Sequence, residues 1–267
     1  MEEVFFICLC ILLGLGSGFI GGLLGIGGGV VIVPALVLSY DFGGRFPVEN
    51  GLLIAVATSL ACIIFTSASA GYTQYRAGKV RWDLFQKLVV FLLLGSFAAG
   101  FVAPLLPAGV FRGFIGIFLA LVAVIMLSSW QPHPSRQFPK PFPASLIGLG
   151  GGLAAGLAGI AGGNIIVPTL VYFNTPIHNA TATSSTLGVP IALTGTLGYL
   201  LGAPVLYGNG LFGFIDLYAF VPIVLGALIA APFGVKFAHK VAPAKLKRAF
   251  GVLLIFVSAR MLYTVFG

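Results

Sequence analysis

The residues of this sequence best placed for chemistry are two glycine clusters, Gly25-Ile26-Gly27-Gly28-Gly29 and Gly159-Ile160-Ala161-Gly162-Gly163, each set in an otherwise apolar run. Clustered glycine weakens a helix by about 1 kcal/mol per residue and admits positive φ, so helix is expected to break at both places. A helix restarting after each break presents unpaired N–H groups carrying partial positive charge, and what these offer is anion binding. The candidate contacts are Gly27, Gly28 and Gly29 in the first cluster and Ala161, Gly162, Gly163 and Asn164 in the second. Asn164 stands where the first cluster is followed by Val30, and its amide has two uses open to it: donating to an anion, or bonding the backbone at the helix tip.

Hydroxyls supply the other candidates. Ala57-Thr58-Ser59 recurs as Ala182-Thr183-Ser184, in matching apolar segments. Thr58, Ser59, Thr183 and Ser184 either face the glycine breaks or bond their own carbonyls four residues back, as membrane hydroxyls often do. Cys8, Cys10 and Cys62 lie inside apolar runs and read as small core residues. The sequence offers neither a metal cluster, a catalytic triad nor a carboxylate pair, so an enzyme, a metal site and a cofactor are not expected. His178 is the one group near a pathway that titrates close to neutral pH, in what reads as a solvated loop. Gly16 to Gly21 matches the dinucleotide fingerprint by letter, but no strand precedes it.

These groups must be positioned by membrane helices. Of 267 residues, 59% are hydrophobic and 7% charged, and the mean hydropathy is +1.11; soluble domains carry roughly a quarter charged residues. Apolar segments fall at about 4–24, 29–40, 51–72, 85–106, 111–130, 144–160, 163–174, 181–203, 214–235 and 248–266. No alternating barrel pattern is present. The second segment of each half is about 12 residues, roughly 18 Å of helix, too short to cross a hydrocarbon core of about 30 Å. Gly14, Gly18 and Gly22, like Gly148, Gly152 and Gly156, are spaced four apart, the pattern that lets membrane helices approach closely and that permits a homodimer. The formal charge of +8 sits in short loops and is read as topology-setting, with the lipid bilayer and not nucleic acid as the partner.

The chain is two copies of one plan. Gly25, Gly28, Gly29, Ile32 and Pro34 are answered by Gly159, Gly162, Gly163, Ile166 and Pro168 at an offset of 134 (Gly25 to Gly159). Asp83 is answered by Asp216, both expected to cap helices, and Arg112 by Arg248. If each short segment returns the chain to the side it came from, loops 73–84, 131–143 and 236–247 share one side with Lys87 and Arg248, leaving only Arg45, Arg112 and Arg260 opposite. The positive-inside rule favours this count, and an odd number of crossings per half then turns the second copy upside down. The expected fold is all-α: a polytopic helical membrane protein of two inverted-topology repeats of about five hydrophobic segments each. Residues 1–130 form the first repeat, 131–143 a cytoplasmic linker and 144–267 the second repeat, with paired broken hairpins meeting near the midplane. The N-terminus lacks a positive leader region, so the first segment is expected to be retained.

The duplicated glycine-break-proline stretches, Gly25 to Pro34 and Gly159 to Pro168, with the Ala-Thr-Ser segments that follow them, resemble the sulfite exporter TauE/SafE family of membrane proteins. The resemblance covers essentially the whole chain. It implies a multi-pass transporter of the plasma membrane for small sulfur-containing anions such as sulfite or C2 sulfonates like sulfoacetate, working by alternating access, with export the direction implied. An anion channel, or an uptake permease for thiosulfate or a related oxyanion, are the alternatives. The second copy departs from the glycine pattern at Ala161 and Asn164. Both termini are expected on the extracytoplasmic side: a reporter fused after Gly267 should be active there, and a cytoplasmic signal would overturn the topology.

Overall fold

Within hydrocarbon a chain must satisfy its own backbone, and helix is the local way to do so. The computed structural model, which describes residues 2–24, 27–128, 141–202, 207–208, 210–237 and 243–266, turns each expected apolar segment into a helix. In order these are α1 (Glu2–Leu24), α2 (Gly29–Gly43), α3 (Val48–Arg76), α4 (Trp82–Val102), α5 (Ala108–Leu127), α6 (Pro141–Ala158), α7 (Gly163–Tyr172), α8 (Ile177–Leu201), α9 (Leu217–Phe237) and α10 (Pro243–Phe266). The protein is an all-α polytopic membrane protein. Among the described residues α1, α3, α4, α5, α8 and α9 are long and apolar enough to cross a membrane. At 15 and 10 residues, α2 and α7 are roughly 22 and 15 Å long and are not. Pro34 and Pro168 lie inside these two short helices.

The segment between α8 and α9 differs from the all-helical expectation. Three two-residue strands, β1 (Tyr207–Gly208), β2 (Leu211–Phe212) and β3 (Ile215–Asp216), pair antiparallel in that order, and Gly210 and Gly213 take the positive φ that its turns need. The linker residues 131–140 lie outside the described residues.

Small residues decide how the long helices meet. Gly14, Gly18 and Gly22 on α1 lie against the backbone of Ile223, Ala227 and Ala231 on α9, so closely that a Cβ at any of them would overlap it. Gly148, Gly152 and Gly156 on α6 lie as closely against α4, where a Cβ would overlap the Phe91 Cβ, the Leu92 backbone and the Ala99 methyl. In both pairs residue numbers rise together, so the helices run parallel, and the four-spaced glycines serve as packing faces. Segments that correspond in the two halves instead cross in opposite directions. Between α3 and α8, Gly71 sits by Thr186, Ser67 by Gly188 and Leu60 by Gly195. Between α5 and α10, Ser258 Oγ donates to Gly116 O at 2.7 Å while Gly251 sits by Leu127.

Not every glycine is a contact. Gly16 on α1 has nothing within 4 Å of where a Cβ would stand, whereas at Gly18 that Cβ would lie 2.6 Å from Ala227 O. Overpacking of this kind costs about 1–3 kcal/mol. Gly18→Val should therefore lower the thermal midpoint of the detergent-solubilised protein by several degrees, and Gly16→Ala should leave it unchanged or raise it; equal midpoints would overturn the α1–α9 contact.

Candidate functional site

The site is built where the two breaks come together. Gly28 and Gly162 are the N-caps of α2 and α7, at φ 77° and 72°, a left-handed conformation that favours glycine. Neither cap carries a side chain to occupy the first-turn N–H groups, and neither helix has a side-chain cap bond. The ladders begin only with Val31 and Ile32 N–H donating to Gly28 O (3.0 and 3.3 Å), and Ile165 and Ile166 N–H donating to Gly162 O (2.9 and 2.7 Å). The leading N–H groups lie ahead of the first ladder bond, within the buried tips.

The tips touch each other. A Cβ on Gly29 would lie 2.7 Å from Gly159 O, and one on Gly27 would overlap the methyl of Ala161. Gly27 and Ala161 are equivalent in the repeat (offset 134), so this contact lies at the centre of the duplication. All the described tip residues, Gly27 to Gly29 and Gly159 to Asn164, are buried. Residues 25 and 26 lie outside the described residues.

Both tips are pinned to the middle of α3. Ser59 Oγ donates to Gly159 O at 2.8 Å, and Thr66 Oγ1 donates to Gly27 O at 2.8 Å. These donors are seven residues apart, two turns along one face, and bracket Cys62, the midpoint of this 29-residue helix. Gly188 and Ile191, beside Ala161 and Gly162, are likewise central in α8. The junction therefore lies at mid-height of the two helices that cross between the halves.

The other candidate residues are distributed more widely. Ser59 reaches a tip, while Thr58, one residue earlier, turns away and accepts the Asp216 N–H at 2.9 Å. Thr183 accepts the Arg81 N–H at 3.0 Å and donates to Asn179 O at 2.7 Å, at the end of α8 remote from its centre. Ser184 is fully buried with no hydrogen-bond partner. Asn164 is buried, its Nδ2 is without a partner, and it lines a groove with Phe118 and Val122 of α5 and Pro168 of α7. Three residues at the junction, Thr66, Ser67 and Gly188, escaped the reading of the sequence. The signal was present: Thr66-Ser67 follows Thr58-Ser59 by eight residues on one helix. It occurs in one half only, with Ile191 and Ala192 in the corresponding places, so a search by repetition passes over it.

Charge collects away from the tips, at the two ends of α3. Lys79 and Arg81 lie at one end, where Lys79 O accepts from Asn179 Nδ2 at 2.8 Å. At the other end Arg45, Arg112 and Arg260 converge on the end of α2. Arg45 pairs with Asp216 (3.4 Å) and packs over the Phe6 ring at 4.6 Å, Arg112 pairs with Asp41 (3.2 Å), and Arg260 stacks over Phe42 at 4.1 Å. Cations suit a helix C-terminus. Asp216 caps α9 as expected, accepting the Tyr218 and Ala219 N–H groups (3.0 and 3.4 Å), and also accepts from Tyr40 Oη at 3.1 Å. Burial pushes its carboxyl above the ordinary range, with Arg45 pulling in the other direction. Asp83, its counterpart, is an exposed first-turn residue of α4 held by Arg81 at 2.8 Å.

Comparison with known proteins agrees on one lineage. The profile of the family described as sulfite exporter TauE/SafE matches residues 10–261. A Haemophilus influenzae protein named probable membrane transporter protein is 30% identical over 264 residues, covering 96% of this chain and 98% of its own. Proteins with the same descriptive name from Methanocaldococcus jannaschii (26% identical; 92% of this chain, 91% of its own) and Bacillus subtilis (25%; 90% and 96%) are similar over comparable spans.

The tip anchors make a stability prediction. Buried hydrogen bonds inside membranes contribute on the order of 1 kcal/mol. Ser59→Ala and Thr66→Val should each lower unfolding free energy by about that amount in a denaturant titration, and a loss near zero in both would remove α3 as the anchor of the tips.

Proposed function

The chain belongs to the sulfite exporter TauE/SafE family of membrane transporters, and from that premise we propose that it is a secondary transporter that exports small sulfur-containing anions, such as sulfite or C2 sulfonates like sulfoacetate. It acts in the plasma membrane by alternating access between two inverted halves. The observation that carries this reading is the meeting of two glycine-capped half-helices at mid-height of α3 and α8. In transporters built from inverted repeats, half-helix N-termini aimed at a central site are a recurring means of holding an anionic group. The antiparallel crossing of α3 with α8 and of α5 with α10 is what a two-fold axis in the membrane plane requires.

The donors suit the ligand class. A sulfite or sulfonate head presents several acceptor oxygens, which converging N–H groups satisfy without a buried arginine. The atoms nearest the tip glycines are backbone, hydroxyl and hydrocarbon. Weak, preorganised donors of this kind hold an ion and also release it. Because the tips are in contact, access from either side requires them to part. The ties between halves from Ser59 to Gly159 O and from Thr58 to Asp216 are the bonds such a movement would strain. Of the hydroxyls, Ser59 stands at the tips, and Thr58 and Thr183 are engaged in structural bonds. The basic end of the molecule, with Lys79 and Arg81, faces the cytoplasm, and both termini face outward.

The test is flux of labelled sulfite and sulfoacetate in proteoliposomes, with and without a pH gradient. Gradient-sensitive, saturable flux is expected. Uncoupled conductance would make the protein a channel, and the lack of any anion flux would reject the transport reading. At Gly28 and Gly162 a branched side chain meets both a left-handed φ and close neighbours, Ser17 O at 2.7 Å and Ile166 Cδ1 at 2.9 Å. Gly28→Val and Gly162→Val should therefore reduce flux at least tenfold in protein that still extracts as a folded species, and normal flux in both would remove the tips from the mechanism.

A further inference from the structure

The repeat relates the two tips to each other, but not the ground on which they meet. On one side of the Gly27–Ala161 contact stand Ser67 of α3 and Gly188 of α8: a Cβ on Gly27 would lie 2.8 Å from Ser67 Oγ, and one on Gly188 would lie 2.6 Å from Ser67 Oγ and 3.1 Å from the Ala161 methyl. The offset that takes Ala57 to Ala182 takes Ser67 to Ala192 and Ile63 to Gly188. So where one half supplies a hydroxyl the other supplies a methyl, and where one half supplies Ile63, packed on Gly27 and Gly29, the other supplies no side chain at all. The junction has a hydroxyl on one side and hydrocarbon on the other.

Ser67 is fully buried and, among the described residues, its Oγ has no hydrogen-bond partner. Several other hydroxyls on α3 and α8 bond their own helix, Thr73 to Ser69 O (3.0 Å), Ser185 to Thr181 O (2.9 Å) and Thr194 to Pro190 O (3.0 Å). The carbonyl four residues back from Ser67, that of Ile63, lies 3.3 Å from Thr66 Oγ1. A buried hydroxyl without a partner is destabilising, so its natural complement is a ligand. Two more buried hydroxyls without partners, Ser184 and Thr196, fall on the ridge of α8 that runs at four-residue spacing through Gly188, one turn to one side and two turns to the other.

We propose that the transported oxyanion sits off the axis of the duplication, on the Ser67–Gly188 side of the tip contact, and that Ser67 is its side-chain donor. The inference rests on the transport reading above. Ser67 Oγ–H donates to one oxygen and the N–H groups opening α2 and α7 take the others once the tips part, and the bare Gly188 lets Ser67 Oγ stand this close to the tip contact. The ligand class is a small anion with several acceptor oxygens; a halide, a single sphere with no separate acceptor atoms to share between hydroxyl and backbone, gains less from the arrangement.

The experiment pairs anion-dependent thermal shifts of the purified full-length chain with flux in proteoliposomes, using sulfite, sulfoacetate and chloride as probes. The wild type should be stabilised by sulfite or sulfoacetate more than by chloride. Ser67→Ala should raise the half-saturating concentration about tenfold, the scale of one hydrogen bond to a charged group, while keeping or raising the midpoint without anion. Gly188→Ala, whose methyl would press on Ser67 Oγ, should weaken binding similarly, and Thr73→Ala should match the wild type. Unchanged half-saturation in both Ser67→Ala and Gly188→Ala, with a wild type that responds to the oxyanions, overturns this placement and leaves the transport reading standing. A Ser67-dependent shift without any flux supports the site and rejects transport. A wild type that neither shifts nor transports with any probe overturns both.

Discussion

The constraint from which this structure follows is that no backbone N–H or C=O can be left without a partner in hydrocarbon. Two helix breaks at mid-height violate it locally, and the rest of the bundle contains the damage. Each broken tip is buried against the other, and α3 spends two hydroxyls, Ser59 and Thr66, on the carbonyls of Gly159 and Gly27. The first N–H groups of α2 and α7 are left without a side-chain cap.

Holding the tips so close requires the surrounding helices to be close as well. That is the work of the four-spaced glycines on α1 and α6, which lie in contact with the backbones of α9 and α4. With no hydrophobic drive between helices in lipid, such contacts supply dispersion and let polar groups meet across short distances. They also put each broken hairpin against a helix of the opposite half, so movement of one half is movement against the other's tip. The charged ends complete the frame: Arg45, Arg112 and Arg260 gather at the end of α2, and Asp216 joins α2, α3 and α9 through Tyr40, Thr58 and its own cap bonds.

Membership of a transporter family and this geometry fit together chemically. Strong ligands such as buried arginines would trap an anion, whereas glycine-exposed N–H groups and hydroxyls recognise oxygens at lower cost and allow release. Close packing explains why Gly27, Gly29 and Gly188 are bare: a Cβ at any of them would overlap the atoms packed against it.

Much of this was legible in the sequence because the relevant rules are one-dimensional. Hydropathy marked all ten helices, glycine clustering marked both breaks, four-residue spacing marked the packing faces, and duplication paired the tips; each depends only on neighbours along the chain. Which hydroxyl serves which group did not follow, because it depends on where a helix face points once α3 and α8 cross. Thr58 and Ser59 are adjacent yet diverge by about 100° around the helix, so one reaches Asp216 and the other a tip. Thr183 repeats Thr58 in sequence but lies at the Arg81 end of α8. Asp216 and Asp83 are counterparts by number, yet one is buried among Tyr40 and Arg45 and the other is exposed. Thr66, Ser67 and Gly188 carry no repeated signal at all. The sequence alone determined that helices break and where. Only the tertiary structure decided what the breaks meet, because burial and hydrogen-bond direction are set by the crossing of helices distant in the chain.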